Sequence, residues 1–478
     1  MNKIYITTTL PYANSVPHVG HALEFFQGDA LARFFRKKYG DENVFFNVGI
    51  DENGLKLFNT AKDNNKTPQD FVNELSLKWK DFCLQFNISY NCFYRTSEKV
   101  HHLNAKMIWS QCNENGDIYK RHYDGLYCVG CESFILERDL LNGDCPHHNE
   151  KPVIHSEENY FFRLSKYSSQ ILEYLENSPS FLQPKSKLQE LKNFIKNIED
   201  ISISRSKENL PWGVDVPDDQ NHVMYVWFDA LTNYISAIGY NSDPNNFNKF
   251  WPGVQLCGPD NLRFQGAMWQ GILASLNLPF TKHLLVHGTV LGPDGQKMSK
   301  SIGNVIAPLD QYEKYGSDVC RYYMLAIIKT YNDCCYRESE LKEFYNSNLA
   351  NNYGNLLYRF IHLAQKKEIN IANEDVVESS FRQNVLELKN KSEGQYTNFG
   401  ISDAALTINK MITFGNQYFH KEEPWKQDTE RCEIILNGIS FLLKIASELY
   451  YPIIPDGAQK ALNALEKKEK IILFPKLD

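Results

Sequence analysis

The sequence predicts an α/β protein: a parallel-sheet domain, interrupted by an insert and followed by an all-α region. Three observations predict it. The first forty-odd residues read strand, loop, helix, strand, a βαβ unit that opens a parallel sheet. Two Cys-rich pairs, spaced as metal ligands are, fall between residues 128 and 148. From about Ser339 the composition turns helical, with few β-branched runs and no glycine-rich phosphate loop. The expected divisions are 1–115 for the first half of the sheet domain, 116–221 for the insert, 222–338 for the second half, and 339–478 for the helices.

Bulk properties bound the function. A chain of 478 residues is too long for one core, and 42% hydrophobic with 23% charged residues is ordinary for a globular protein. No run approaches the ~18 apolar residues of a membrane span, so no membrane partner is expected. The start, Met1-Asn-Lys-Ile-Tyr-Ile, reads as a first strand and not as a leader, so the cytoplasm is the expected location. With a net charge of −7 there is no global basic field, and a nucleic-acid partner would have to be held by local patches and shape. Eleven cysteines in so long a chain read as reduced thiols, and the clustered ones as metal ligands.

The first strand covers Ile4 to Leu10 and stops at Pro11, which has no N–H for a ladder. Leu23, Phe26, Ala30, Leu31, Phe34 and Phe35 recur at helical spacing, and Gly40 supplies a stop. Val44–Val48 is the second strand. His18, Gly20 and His21 therefore fall past a strand's C-terminal end and at a helix N-terminus, where free N–H groups and the helix dipole favour phosphate. Taken alone, either histidine is more readily a helix cap; a metal pair of the two would need further ligands, and the only carboxylate close by is Glu24. Far downstream, Leu291-Gly-Pro-Asp-Gly-Gln-Lys297-Met-Ser-Lys300-Ser-Ile-Gly-Asn304 places two lysines on a glycine-flanked loop. Mobile positive charge of this kind is poor core material and good material for a polyphosphate.

Cys128-Val-Gly-Cys131 is followed, after a hairpin-length gap, by Cys145-Pro-His-His148. Four such ligands suit one tetrahedral Zn2+, and a site filled by protein on all four sides is structural, a zinc knuckle. His147 competes with His148 for the fourth position.

His18-Val-Gly-His21 and Lys297-Met-Ser-Lys300-Ser301, in that order, resemble the two signatures of the class I aminoacyl-tRNA synthetases. The second is matched at all five positions, and the first carries Val19 for isoleucine. The resemblance implies a Rossmann-like catalytic domain and an anticodon-binding helix bundle. It also implies catalytic roles for His18, His21, Lys297 and Lys300. Tyr225-Val-Trp227-Phe-Asp-Ala-Leu231-Thr-Asn-Tyr234, with the Leu10-Pro-Tyr12 loop, is similar to the methionyl branch of that family, single-zinc type, and the likeness covers nearly the whole chain. On the residues alone, Trp227, Leu231 and Tyr234 at helix-like spacing form a face suited to a thioether, because sulfur–aromatic contacts add to burial.

The resemblance implies that methionine is held by Leu10, Tyr12, Asp51, Trp227, Leu231, Tyr234, Val286 and His287, with Asp51 on the ammonium. It implies that ATP, carried with Mg2+, meets His18, Gly20, His21, Glu24, Gly258, Asp260, Lys297 and Lys300. It implies that tRNA(Met) is read by Asn355, Arg359 and Trp425, residue types suited to base edges and to stacking. The bland alternatives are a solvated helix face for Asn355 and Arg359, and a core position for Trp425. The chain departs from the family's pattern at Asn53 and Gln265, where histidine is usual, and at Pro259, where lysine is common. A monomer is expected, since no further C-terminal tRNA-binding or dimerisation domain is seen. The alternative readings are a leucine, isoleucine, valine or cysteine enzyme of the same class, and a non-catalytic zinc-stabilised RNA-binding relative.

Overall fold

The computed structural model describes residues 2–128, 133–135, 137–146, 150–298, 303–369, 371 and 373–477. The chain forms two compact units. The first holds the chain up to Pro17, Asn43–Asp81 and Tyr90–His287; the second holds His18–Glu42, Phe82–Ser89 and the chain from Gly288 onward.

In the first unit the strands run, in chain order, β1 (Ile4–Thr7), β2 (Val44–Ile50), β3 (Cys92–Arg95), β4 (Ile118–Cys128), β5 (Ser133–Ile135), β6 (Val153–Phe162), β7 (Leu182–Gln183), β8 (Ile201–Ser202), β9 (Ser204–Ser206), β10 (Asp215–Val216), β11 (Asp219–Met224), β12 (Val254–Cys257) and β13 (His283–Val286). Six of them make one sheet in the order β3-β2-β1-β12-β13-β7. Every pairing in it is parallel. The apolar run of β2 and the wholly buried β12 fit this, since parallel strands are covered on both faces. Chain order reverses at β1, which has β2 on one side and β12 on the other. The crevice past the C-terminal ends of β1 and β12 is where open parallel sheets take ligands.

β1 is shorter than its apolar run predicts. Its ladder ends at Thr7, and pairing with the neighbouring chain resumes beyond Pro11 as a bridge between Tyr12 and Asp51. The insert is antiparallel: β4 pairs with β6 from Ile118–Phe162 to Tyr127–Val153, with β5 and β8 at the flanks, and β10-β11-β9 form a second small sheet.

The second unit contains the long helix Val19–Tyr39 and the helices Asn355–Lys366, Ser379–Thr397, Ile401–Glu422, Thr429–Tyr450 and Pro455–Lys467. A buried ionic cluster fixes the long helix. Asp29 meets Arg33 at 2.8 Å and Arg321 at 2.7 Å, and accepts the backbone N–H of Ser89 at 2.7 Å and its hydroxyl at 2.6 Å. Arg321 in turn donates to the carbonyls of Phe86, Pro452 and Ile453. Because each charge is both paired and hydrogen-bonded, burial does not leave an isolated ion. Burial is the largest single influence on the Asp29 carboxyl and raises it, but the two arginines and the Ser89 hydrogen bonds together outweigh it and hold the carboxyl below its ordinary range.

Candidate active site

The loop after β1 is zipped to the loop after β2. Ala13 donates to the Asp51 carbonyl at 2.8 Å, and Asp51 donates to the Pro11 carbonyl at 2.9 Å. This sets Leu10 and Tyr12 beside Asp51 at the sheet's switch point. Asp51 is buried, and its Oδ1 accepts the Thr96 hydroxyl at 3.0 Å and the Asn53 N–H at 3.4 Å.

Leu231, Tyr234 and Val286 belong to one apolar cluster, with Tyr12 and Trp227 packed against it. The expected helix comes in two pieces: Val226–Leu231 ends at Thr232, whose backbone stays helical, and the short helix Asn233–Ser236 follows. The Thr232 hydroxyl donates back to the Asp229 carbonyl at 2.6 Å, closing that corner. Trp227 lies flat on Phe264, ring centroids 3.9 Å apart and 3° between planes, and Tyr234 meets Trp269 edge-on at 5.7 Å. Phe264 opens the π-helical turn Phe264–Met268, a distortion that often marks functional positions. Gln265, in the same turn, is buried and donates to the Thr9 hydroxyl at 2.9 Å. His287, just past β13, is buried and donates its N–H to the Cys257 carbonyl at 3.0 Å. A Cβ at Gly258 would stand 3.6 Å from the His287 ring, so those two expected residues are neighbours. Asp260 is exposed, in the short turn Pro259–Asn261.

Joined to Asp51 is a polar network that the sequence reading missed. Glu52 is buried, ion-paired with Arg95 at 2.8 Å, and accepts the Ser97 hydroxyl at 2.7 Å. Burial is the stronger influence and leaves its carboxyl raised. The Glu52 carbonyl accepts the Trp212 indole N–H at 2.8 Å. Asn53 donates from Nδ2 to Asp229 Oδ2 at 3.2 Å and to the Thr96 carbonyl at 3.3 Å. His101 Nε2 lies 3.4 Å from Asp229 Oδ1, and its Nδ1 lies 3.4 Å from the Tyr94 hydroxyl. Burial pushes His101 down to about 3. It is therefore a neutral imidazole, donating from Nε2 to the carboxylate and accepting at Nδ1. The one signal in the sequence was a carboxylate, Asp229, inside an otherwise apolar and aromatic run.

In the second unit His18 caps the helix Val19–Tyr39, so capping and ligand binding are not alternatives. His18 Nδ1 accepts the N–H of Gly20 at 3.1 Å and of His21 at 3.4 Å, and His21 Nδ1 accepts the His18 N–H at 3.4 Å. The rings stack at 3.6 Å. Because both Nδ1 atoms accept, each neutral ring carries its proton on Nε2 as a donor. A Cβ on Gly20 would come within 2.9 Å of the His18 ring, so the glycine is what lets the cap close. Val19 donates to the Ile306 carbonyl at 3.1 Å, tying this helix start to the chain that leaves the lysine loop. Glu24 is buried one turn on. Lys297 is exposed and pairs as a bridge with Leu291 across the turn Gly292–Gly295, where Gly295 has φ +79. Lys300 lies outside the described residues.

Cys128 ends β4 and Cys145 follows the Leu141–Asp144 turn; both are buried. Cys131, His147 and His148 lie outside the described residues. Among the described residues no group of three or more His, Cys, Asp or Glu is arranged to hold a metal.

Also in the second unit, Trp425 is 40% exposed and is not the core residue of the bland reading. The Arg359 guanidinium lies 5.9 Å from its ring centroid and 5.0 Å from that of Phe419, and Asn355 is exposed one turn before Arg359. Phe419, buried 6.0 Å from Trp425, supports this platform and was not anticipated. Among the described residues no helix is long and apolar enough to cross a membrane.

A parallel sheet with a switch-point pocket, a histidine-capped helix start and a lysine loop is the equipment of a class I tRNA synthetase. Residues 4–151 and 138–361 match the family model described as tRNA synthetases class I (M), and residues 372–476 match the anticodon binding domain of methionyl tRNA ligase. The chain belongs to the methionyl-tRNA ligase family within that class. It is 36% identical to a methionine–tRNA ligase of Thermotoga maritima, with 98% of this chain and 76% of the relative covered. It is likewise 36% identical to one of a Nostoc species, with 94% and 87% covered. A Mycobacterium tuberculosis methionyl-tRNA synthetase solved in complex with methionyl-adenylate superposes with a TM-score of 0.90 at 31% identity, covering 97% of this chain and 94% of that one.

Proposed function

We infer that the chain is a methionine–tRNA ligase: it joins methionine to ATP as methionyl-adenylate, releasing pyrophosphate, and then transfers the methionyl group to tRNA(Met), releasing AMP. The observation that carries this is the pairing, in one sheet crevice, of an aromatic–aliphatic pocket with the buried Asp51 carboxylate. The likeness to methionine–tRNA ligases along the whole chain supports it.

Leu10, Tyr12, Trp227, Leu231, Tyr234, Val286 and His287 receive the thioether, and dispersion with the aromatic faces favours sulfur. Asp51 holds the ammonium by a charge-assisted hydrogen bond. The methionine carboxylate oxygen then attacks the α-phosphorus of ATP, and the bond to pyrophosphate breaks. Such a step depends on positioning and charge stabilisation more than on covalent help from the protein. His18 and His21 donate Nε2–H to phosphate oxygens, Gly20 lets ligand approach, and Lys297 and Lys300 neutralise the departing pyrophosphate. Glu24, Gly258 and Asp260 complete the nucleotide site, with Asp260 on the ribose hydroxyls, and Mg2+ enters with ATP. In the second step a terminal hydroxyl of tRNA attacks the adenylate carbonyl carbon while Asn355, Arg359 and Trp425 select the anticodon.

One structural zinc, on Cys128, Cys131, Cys145 and His148, belongs to this reading. Cys128, at a strand end, and Cys145, just after a turn, are of the soft sulfur ligand type that Zn2+ takes. The metal supplies a crosslink at the end of the long β4–β6 ribbon and no chemistry. The chain is further read as a cytoplasmic monomer, which sedimentation would check for oligomeric state. ATP–pyrophosphate exchange with each amino acid in turn tests the function. Methionine alone should support exchange. Exchange with leucine, isoleucine, valine or cysteine would move the chain within its class, and none at all would make it a non-catalytic relative.

A further inference from the structure

Asn53 stands two residues beyond Asp51, where the resemblance leads one to expect histidine. It is 1% exposed. Its amide orientation is fixed by chemistry: Nδ2 lies 3.2 Å from a carboxylate oxygen of Asp229 and 3.3 Å from the Thr96 carbonyl, and both of these atoms only accept. The amide oxygen must therefore face elsewhere, and among the described residues nothing donates to it. A buried acceptor without a donor is costly, on the order of 1–3 kcal/mol, and so points to a donor that arrives from outside. The residue is coupled to the ammonium-binding carboxylate twice: its backbone N–H donates to Asp51 Oδ1, and Thr96, whose carbonyl accepts from the Asn53 side chain, donates its hydroxyl to that same oxygen.

We propose that Asn53 Oδ1 is a second acceptor for the α-ammonium of the amino-acid substrate, sharing it with Asp51. An ammonium has three N–H donors and a carboxylate at one side does not use them all. A neutral amide oxygen accepts one more without adding a further negative charge beside Asp51 and Asp229. A histidine donating to Asp229 and Thr96 would have no carbonyl oxygen to offer. This rests on the reading of the chain as a methionine–tRNA ligase.

Three ligands separate the roles: L-methionine, L-methioninol, which keeps the ammonium and lacks the carboxylate, and 4-(methylsulfanyl)butanoate, which keeps the carboxylate and lacks the ammonium. Dissociation constants are measured for full-length wild type and Asn53→Ala. The alanine variant should bind methionine and methioninol about tenfold more weakly, the loss expected of one hydrogen bond to a charged group. Its affinity for 4-(methylsulfanyl)butanoate should stay within about twofold. Equal weakening for all three ligands would make Asn53 a structural tie to Asp229 and overturn the proposal, as would no change for any, which would leave Oδ1 to a water molecule. Asn53→Gln keeps an amide donor for Asp229 and displaces the acceptor by one methylene. It should show the same ordering, and it decides the matter if the alanine variant does not fold. Failure of wild type to bind methionine at all would instead strike the functional reading.

Discussion

The residues proposed to hold the amino acid, in the first unit, and those proposed to hold phosphate, in the second, are arranged on opposite principles. Around Asp51 almost every group is buried and held by two or more partners, and the aromatic walls, such as Trp227 on Phe264, are stacked in place. In the second unit His18 and His21 are half-buried at a helix start, and Lys297 stands in solvent on a glycine turn. The difference follows from what each must recognise. An apolar side chain is distinguished only by a dry, fixed cavity, whereas charge that develops and departs is best met by donors that can reach and release. Rigidity costs the first unit buried charge at its candidate site, a cost that the exposed Lys297 of the second unit does not carry.

The largest break in this comparison should come from Asp51→Ala. Truncating one partner of a buried charge pair costs about 3–5 kcal/mol, here read as a rise in the KM for methionine with little change in the KM for ATP. A parallel rise in both would mean that Asp51 supports the fold and not the ammonium. Next is acid. The folded protein keeps His101 at about 3, well below the ordinary histidine value of about 6.5. The unfolded chain therefore takes up a proton that the folded chain refuses, so the stability is fully present above about pH 6.5 and is lost as pH falls toward 3. The loss is about 2 kcal/mol by pH 5 from this one group. Thermal unfolding of wild type and of His101→Asn between pH 7 and 5 should show a steeper fall for wild type; identical slopes would remove His101 from the account.

A smaller effect sharpens the contrast with the helical surface. Trp425→Ala should cost on the order of 1–3 kcal/mol in tRNA charging, the range for a lost base–aromatic stack. Exchange without tRNA should be unaffected, and so should thermal stability, since the ring is 40% exposed. Joint loss of exchange, charging and folding would return Trp425 to a packing role. The smallest effect on stability belongs to Gly20→Ala. Losing the His18 cap costs about 1 kcal/mol, but alanine gains roughly as much over glycine inside a helix. The melting temperature should hardly move, while adenylate formation falls as the His18 ring is displaced. Unchanged exchange would show that the stacked rings do not need this cap.

The fold was legible where physics is local. β-rich and apolar runs with helical spacing between them pointed to β1, the helix Val19–Tyr39 and β2. The helix start at His18 and His21 and the glycine turn before Lys297 were legible because caps and turns are set by short local motifs. The Asn53–Asp229–His101 network was not, because its members lie 176 and 128 positions apart in the chain. No periodicity links them, and each alone reads as an ordinary polar residue.

By itself the sequence determined the class of chemistry, because the types and spacing of His18, Gly20, His21 and Lys297 carry it. Only the tertiary structure decided that His18 is a cap whose ring is thereby turned to donate from Nε2, that Trp425 is a surface ring beside Arg359, and that Asp51 is hydrogen-bonded into a buried polar network. Those outcomes depend on which groups are withdrawn from water together. Desolvation is a property of the packed chain; it is what makes His101 neutral, and it surrounds the amide oxygen of Asn53 with no donor among the described residues.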